Sequence, residues 1–282
     1  LCSGVSSAST LPRNNLHLLD NPAITANISK SKFNSILDNV ETHYRPIVEA
    51  QYGYLDVKRY WSSSVVNATA ERDGDDWIVN MYGGMARRPE MTPDGFTLVV
   101  CHELGHHLGG FPQITDWGAN EGQSDYFATH ACAKKLWRSE LSINATFRSS
   151  VDSIAKSKCD ETYGSTEDQN LCYRISKAGE SLAGLLAVLQ QRDVPSFATP
   201  STETVKRTNN RHPEAQCRLD TYIAGALCTT AYDDFLVPGQ WGSRYDAELE
   251  AIQVSCSQFQ EAHVWSAKPR CWYAQRVDDT EL

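Results

Sequence analysis

The chain has 282 residues, 41% hydrophobic and 22% charged, a balance that suits a globular protein of one large domain or two lobes and excludes fibrous and disordered classes. Its formal charge is -9 and its basic residues are scattered, which argues against a nucleic acid or an anionic membrane surface as partner. The longest apolar run, SLAGLLAVL at 181–189, is about half of what a membrane-spanning helix needs, so no transmembrane segment is expected.

Residues 1–28 are rich in Ser, Asn and Thr with weak periodicity, and read as an N-terminal leader that is extended or loosely packed. From Ile28 to about Ala50, Phe33, Ile36, Leu37, Val40, Ile47 and Val48 recur at helical spacing around Pro46, which predicts a first helix. YLDVKRYW and the stretch from SSSVV to WIVNMYGG read as strands, with RDGDD at 72–76 as a hairpin turn. WIVNMYGG is then the last strand before a helix that Thr92 or Asp94 caps and that Gly109, Gly110 and Pro112 stop. A second helix is predicted from about Ala119 to Glu140, followed by helices around 146–158, 171–191, 213–234 and 244–259. With strands early and helices late, the fold class is α+β. The predicted division is an extension at 1–28, an N-terminal lobe at 29–112 and a helical C-terminal lobe at 113–282.

Nine cysteines without a CxxC pair favour disulfides formed in an oxidising compartment, hence a periplasmic or secreted location. Cys159 and Cys172 flank a polar loop and form the best single pair. Cys217 and Cys228 would lie about 16 Å apart along one continuous helix, too far to bond each other, so each needs another partner such as Cys256 or Cys271. The chain opens on LCSG with no basic-then-apolar leader, so a signal peptide already removed is expected, and Cys2 raises a lipid anchor although Leu1 fits that signal poorly. Asn27, Asn67 and Asn144 match the N-glycosylation pattern.

The chemistry concentrates in HELGH and NEGQSD. His102 and His106 are four residues apart, about 40° round a helix and one turn along it, so both imidazoles reach one ion. Glu103 sits about 100° round from His102, placed to act on a water rather than to ligate. Val100, Cys101, Leu104 and Leu108 make the buried back of this helix, with its histidine face wet, and Cys101 a core or disulfide cysteine. Gly105 weakens a helix interior and implies close approach of another segment. A catalytic zinc commonly takes three protein ligands and a water, and Glu121 supplies the third, with Asp125 one turn on to accept the free N–H of a ligand histidine. His107 points away and reads as structural; His130 receives no role.

HELGH followed by NEGQSD resembles the gluzincin metallopeptidases, in which HExxH precedes a helix bearing the third ligand Glu and an acidic residue four positions later. Within RHPEAQCRLDTYIAGALC (211–228), His212, Pro213 and Arg218 resemble the closing motif of the prenyl-protein-peptidase-type members, where the histidine comes near the zinc. The chain departs from those members in lacking membrane spans and in its short gap between the histidine helix and Glu121. The resemblance implies a zincin-like fold, one catalytic Zn2+ and a peptide or protein substrate.

On that basis the expected activity is peptide-bond hydrolysis, with Glu103 as general base and His212 as the donor to the oxyanion, followed by Tyr222 and Arg218. The strand before the histidine helix is expected to offer an open edge to an extended peptide, which makes Met81, Tyr82, Gly83 and Gly84 candidates for substrate binding. Arg87 and Arg88 read as a solvated face. A zinc hydrolase acting on a non-peptide amide and a non-catalytic zincin-fold binding protein are the alternatives.

Overall fold

Phe33, Ile36, Leu37, Val40, Tyr44, Ile47 and Val48 are all buried along one face of the first helix, α1 (Lys30–Ala50), which contains Pro46 and is capped by Ser29 accepting from the N–H of Lys32. This is seen in a computed structural model that describes residues 6–12, 14–21, 26–241, 244–256 and 265–275. Cys2 lies outside the described residues.

Strands β2 (Tyr54–Tyr60), β3 (Ala68–Asp73) and β4 (Asp76–Tyr82) follow α1, and Gly74 takes φ +59° in the turn that RDGDD makes between β3 and β4. A further strand, β1 (Ser6–Ser9), pairs with β3 and completes a four-stranded mixed sheet of order β1-β3-β4-β2. β2 and β4 run parallel, while the other two pairings are antiparallel.

Three expectations change here. β4 is hydrogen-bonded on both sides and is therefore an interior strand, with no free edge for a peptide. Its Trp77, Ile78, Val79, Asn80 and Met81 are buried in succession, the pattern of a strand covered on both faces. Gly83 and Gly84 lie in a short buried helix, α2 (Gly83–Ala86), where an added Cβ would fall 1.9 Å from the carbonyl oxygen of Trp61 and 2.1 Å from that of Ser64. Those glycines admit the chain's own 61–65 loop. Of the leader expected to be extended or loosely packed, Ser6–Ser9 is extended and paired into the sheet as β1, and Thr10 and Leu11 after it are almost fully buried, not loose.

The histidine helix, α3 (Pro93–Leu108), starts at Thr92, whose hydroxyl accepts from the N–H of Gly95, and packs against β3, β4 and α1. Next come α4 (Glu121–Phe127), a π-helical turn at Ala128–Cys132 and α5 (Ala133–Trp137) in one unbroken run. They are followed by α6 (Leu141–Thr146), α7 (Ser153–Thr162), the long α8 (Thr166–Gln190), α9 (Ala215–Leu227) and α10 (Arg244–Gln253). The predicted helix at 213–234 ends at Leu227, because Cys228 turns into extended backbone to bond Cys256. One hydrophobic cluster draws side chains from Leu11 to Val237 and so spans residue 112. Arg174, on α8, closes this packing by gripping Asp94 with two nitrogens and Glu140 with a third.

Two surface expectations also shift. Arg87 is buried and donates to the carbonyls of Leu18, Trp61 and Ser63, while Arg88 pairs with Glu90. Asn144 is buried with its amide on the carbonyl of Trp137, so that glycosylation pattern is not presented. Among the described residues, no helix is long and apolar enough to cross a membrane.

Four disulfides tie the helices: Cys101–Cys132, Cys159–Cys172, Cys217–Cys271 and Cys228–Cys256. The first joins the back of α3 to the π-helical turn after α4, and so fixes the two helices that carry the acidic and histidine clusters. Its sequence separation of 31 corresponds to about 3–4 kcal/mol in the chain-entropy model. The Cys101→Ala/Cys132→Ala variant is expected to unfold at a clearly lower temperature, measured by calorimetry, while the same change at Cys159 and Cys172, whose separation is 13, costs less.

Candidate metal centre

α3 and α4 approach closely because small groups meet at their contact. A Cβ on Gly105 would lie 2.8 Å from the Cα and the carbonyl oxygen of Ser124, so only glycine admits α4 at this distance, as the sequence led us to expect. On the other side of α4, Gly122 lets the indole of Trp272 lie flat against the backbone. Asn120 starts α4 by accepting from the N–H of Gln123 at 2.8 Å, which sets Glu121 in the first turn, facing α3.

Nitrogen atoms of His102 and His106 and an oxygen of Glu121 lie within 4.8 Å of one another, all buried. His102 Nε2 is 3.3 Å from Glu121 Oε2, and His106 Nε2 is 3.6 Å from Glu121 Oε1. Each histidine thus faces its own oxygen of the Glu121 carboxylate, and the donor atoms are close enough together to hold a metal ion. Both Nε2 atoms and Glu121 Oε2 are buried without a hydrogen-bond partner.

The other ring nitrogens explain why. His106 Nδ1 lies 2.8 Å from the carbonyl oxygen of Ala119, which can only accept, so Nδ1 carries the proton. Burial pushes the His106 pKa down to about 4, so the ring is neutral and Nε2 keeps its lone pair. The loop after α3 folds back to put Ala119 there, with the N–H of Ala119 on the His106 carbonyl. His102 Nδ1 lies 2.8 Å from Asp125 Oδ1, one turn along α4 from Glu121. Burial alone would lower the His102 pKa, but the charge and hydrogen bond of Asp125 outweigh it and raise the value to about 9. The carboxylates thus call for positive charge at His102, as a proton or as a cation.

Glu103 is fully buried, and burial raises its pKa to about 7, in the range a general base needs. This corrects the expected wet face of α3: His102, Glu103 and His106 have no exposure, and Thr10 of the N-terminal segment meets Glu103. Thr10 donates its backbone N–H to Glu103 Oε1 at 2.9 Å, and its hydroxyl to the same oxygen. No local feature of the sequence marks Thr10, which lies 93 positions from its partner.

α9 supplies the remaining groups. Arg218 grips Asp125 with Nε on Oδ2 at 2.6 Å and Nη2 on Oδ1 at 2.7 Å, and Tyr222 donates its hydroxyl to Oδ1 at 2.9 Å. Tyr222 therefore serves Asp125, and its hydroxyl is not free for an oxyanion. Burial opposes ionisation of Asp125, and the Arg218 charge beside it wins, holding the carboxyl below its usual range. His212, just before α9, places Nε2 3.4 Å from Glu121 Oε2 and donates it to the carbonyl of Ser9 at 2.8 Å. Burial lowers its pKa, leaving a neutral ring.

Met81, Gly83 and Gly84 are buried in β4 and α2, as described above. His107 stacks between Trp77 and Trp117 with Nε2 on the Ile78 carbonyl, and His130 bonds the carbonyl of Thr230.

Removing Arg218 would leave Asp125 as an uncompensated buried charge, which costs about 3–5 kcal/mol. Arg218→Met is expected to lower unfolding stability in denaturant by that amount, and Asp125→Asn added to it should restore part of the loss; a double variant as unstable as the sum of the two single ones would contradict the pairing. Comparison with protein-family models, curated proteins and solved structures finds no match to this chain.

Proposed function

We propose that the chain is an extracytoplasmic zinc metallopeptidase of gluzincin type, with His102, His106 and Glu121 as ligands and Glu103 as general base. The observation that carries this is the buried donor set: two imidazoles tied at Nδ1, with both Nε2 atoms close to one carboxylate. Two imidazoles and a carboxylate are a catalytic zinc donor set that leaves a position for water. The four disulfides accord with an oxidising compartment.

Zinc, when bound, lowers the pKa of its water toward 7 and polarises a carbonyl. The chain's own groups supply the rest. Glu103, whose proton is poised near neutrality, takes the proton of the attacking water and passes it to the leaving amine. His212, whose Nε2 lies 3.4 Å from Glu121 Oε2, offers an N–H to the oxyanion. Asp125, held by Arg218 and Tyr222, keeps His102 oriented. Extended peptides suit the site because its neighbours already bind backbone N–H and C=O groups at Ser9 and Thr10.

Zinc-loaded protein is expected to cut a peptide library, to lose activity in chelator and recover it with zinc. Glu103→Gln should lower kcat by about 100-fold or more while zinc content is unchanged. Cleavage that persists in chelator and in Glu103→Gln would overturn the assignment.

A further inference from the structure

The N-terminal segment meets the candidate centre with its backbone. β1 lies antiparallel on β3 in the register Ser6 to Arg72, Ser7 to Glu71, Ala8 to Ala70 and Ser9 to Thr69. On its other side β3 pairs with β4, so the edge that β1 covers is the one a peptide added as a strand would take. Past β1, both ends of a single peptide bond are engaged. The Ser9 carbonyl accepts from His212 Nε2 at 2.8 Å, and the Thr10 N–H donates to Glu103 Oε1 at 2.9 Å. The next carbonyl, of Thr10, accepts from Arg218 Nη1 at 2.7 Å. A carbonyl at the oxyanion donor and an N–H at the base are what hydrolysis of that bond would require.

We infer that the outer edge of β3, with Glu103, His212 and Arg218, is a binding site for an extended peptide backbone, and that segment Ser6–Leu11 occupies it as a pseudo-substrate of the same chain. The inference rests on the peptidase reading for the meaning of the site, and on the hydrogen bonds for its occupant. Apart from the Thr10 hydroxyl, the contacts at the centre are to main-chain atoms, so they do not select one sequence. Side chains are selected by burial: Ala8 and Thr10 point inward and are small, while Ser7 is exposed. The site therefore takes peptides with small residues immediately after the held bond and two positions before that residue. A tethered occupant acts at an effective concentration of order mM, so a free peptide must displace it.

The test uses the full chain. Ala8→Asp puts a charge at a buried position and should lift β1; Asn67→Ala removes the side chain that accepts from the N–H of Leu11 and should loosen it more gently. Circular dichroism reports whether each variant is folded. In metal-free protein, a fluorescent peptide of sequence SSASTLP should bind Ala8→Asp at least ten-fold more tightly than wild type, with Asn67→Ala between them. With zinc, kcat/KM on a small-residue reporter peptide should rise at least ten-fold in Ala8→Asp. Equal peptide affinity in wild type and both folded variants would overturn the inference, and so would zinc-dependent cleavage that neither variant increases. Tighter peptide binding without any cleavage would support this site while removing the peptidase reading.

Discussion

Asp125 is a carboxylate with no access to water, and the rest of the centre depends on the guanidinium of Arg218 that makes its charge tolerable. A buried ion pair contributes little net stability, because desolvating two charges offsets most of their attraction. Its value here is geometric. Arg218 and Tyr222, both on α9, fix both oxygens of Asp125, Asp125 fixes Nδ1 of His102, and Nε2 of His102 is thereby aimed at Glu121. Cys217, next to Arg218, is bonded to Cys271, and Cys101, next to His102, to Cys132. Covalent links thus flank both ends of this chain of contacts.

The same guanidinium reaches the N-terminal segment through the carbonyl of Thr10. One arginine therefore holds both the carboxylate that orients His102 and the backbone of the N-terminal segment. The centre and the N-terminal segment form one hydrogen-bonded unit in which Glu103, next to His102 on α3, accepts from Thr10 of that segment. The face expected to be wet is dry, and burial pushes the pKa of the Glu103 carboxyl up.

Local spacing made much of the site legible. HELGH and NEGQSD each place two groups one helical turn apart, and the caps Thr92 and Asn120 fix where those turns begin, so the pairing of His102, His106, Glu121 and Asp125 follows from short-range geometry. Gly105 announced the close approach of α4 for the same reason: a missing Cβ is a statement about space. The cysteines yielded Cys159–Cys172, whose partners are near in sequence, and for Cys217 and Cys228 an exclusion of each other with Cys256 and Cys271 as candidate partners, which is where they bond, though not which takes which. What stayed hidden was non-local. Strand order depends on which segment pairs with β3, and residues 6–9, three serines and one alanine, carry only small side chains with no alternation strong enough to read as a strand. Without the parallel pairing of β2 to β4 in view, β4 looked like an edge, and Gly83 and Gly84 looked like room for a substrate rather than for the carbonyls of Trp61 and Ser64.

The central claim is that two imidazoles and one carboxylate meet on a single divalent ion, and X-ray absorption at the zinc edge on the purified, zinc-loaded chain tests it most directly. The account predicts one zinc per chain in a shell of nitrogen and oxygen at about 2.0–2.1 Å, with two imidazole signatures and no sulfur, lost when His106 is replaced by Ala. A zinc shell containing sulfur, or stoichiometric zinc retained in both His106→Ala and Glu121→Ala, would contradict it.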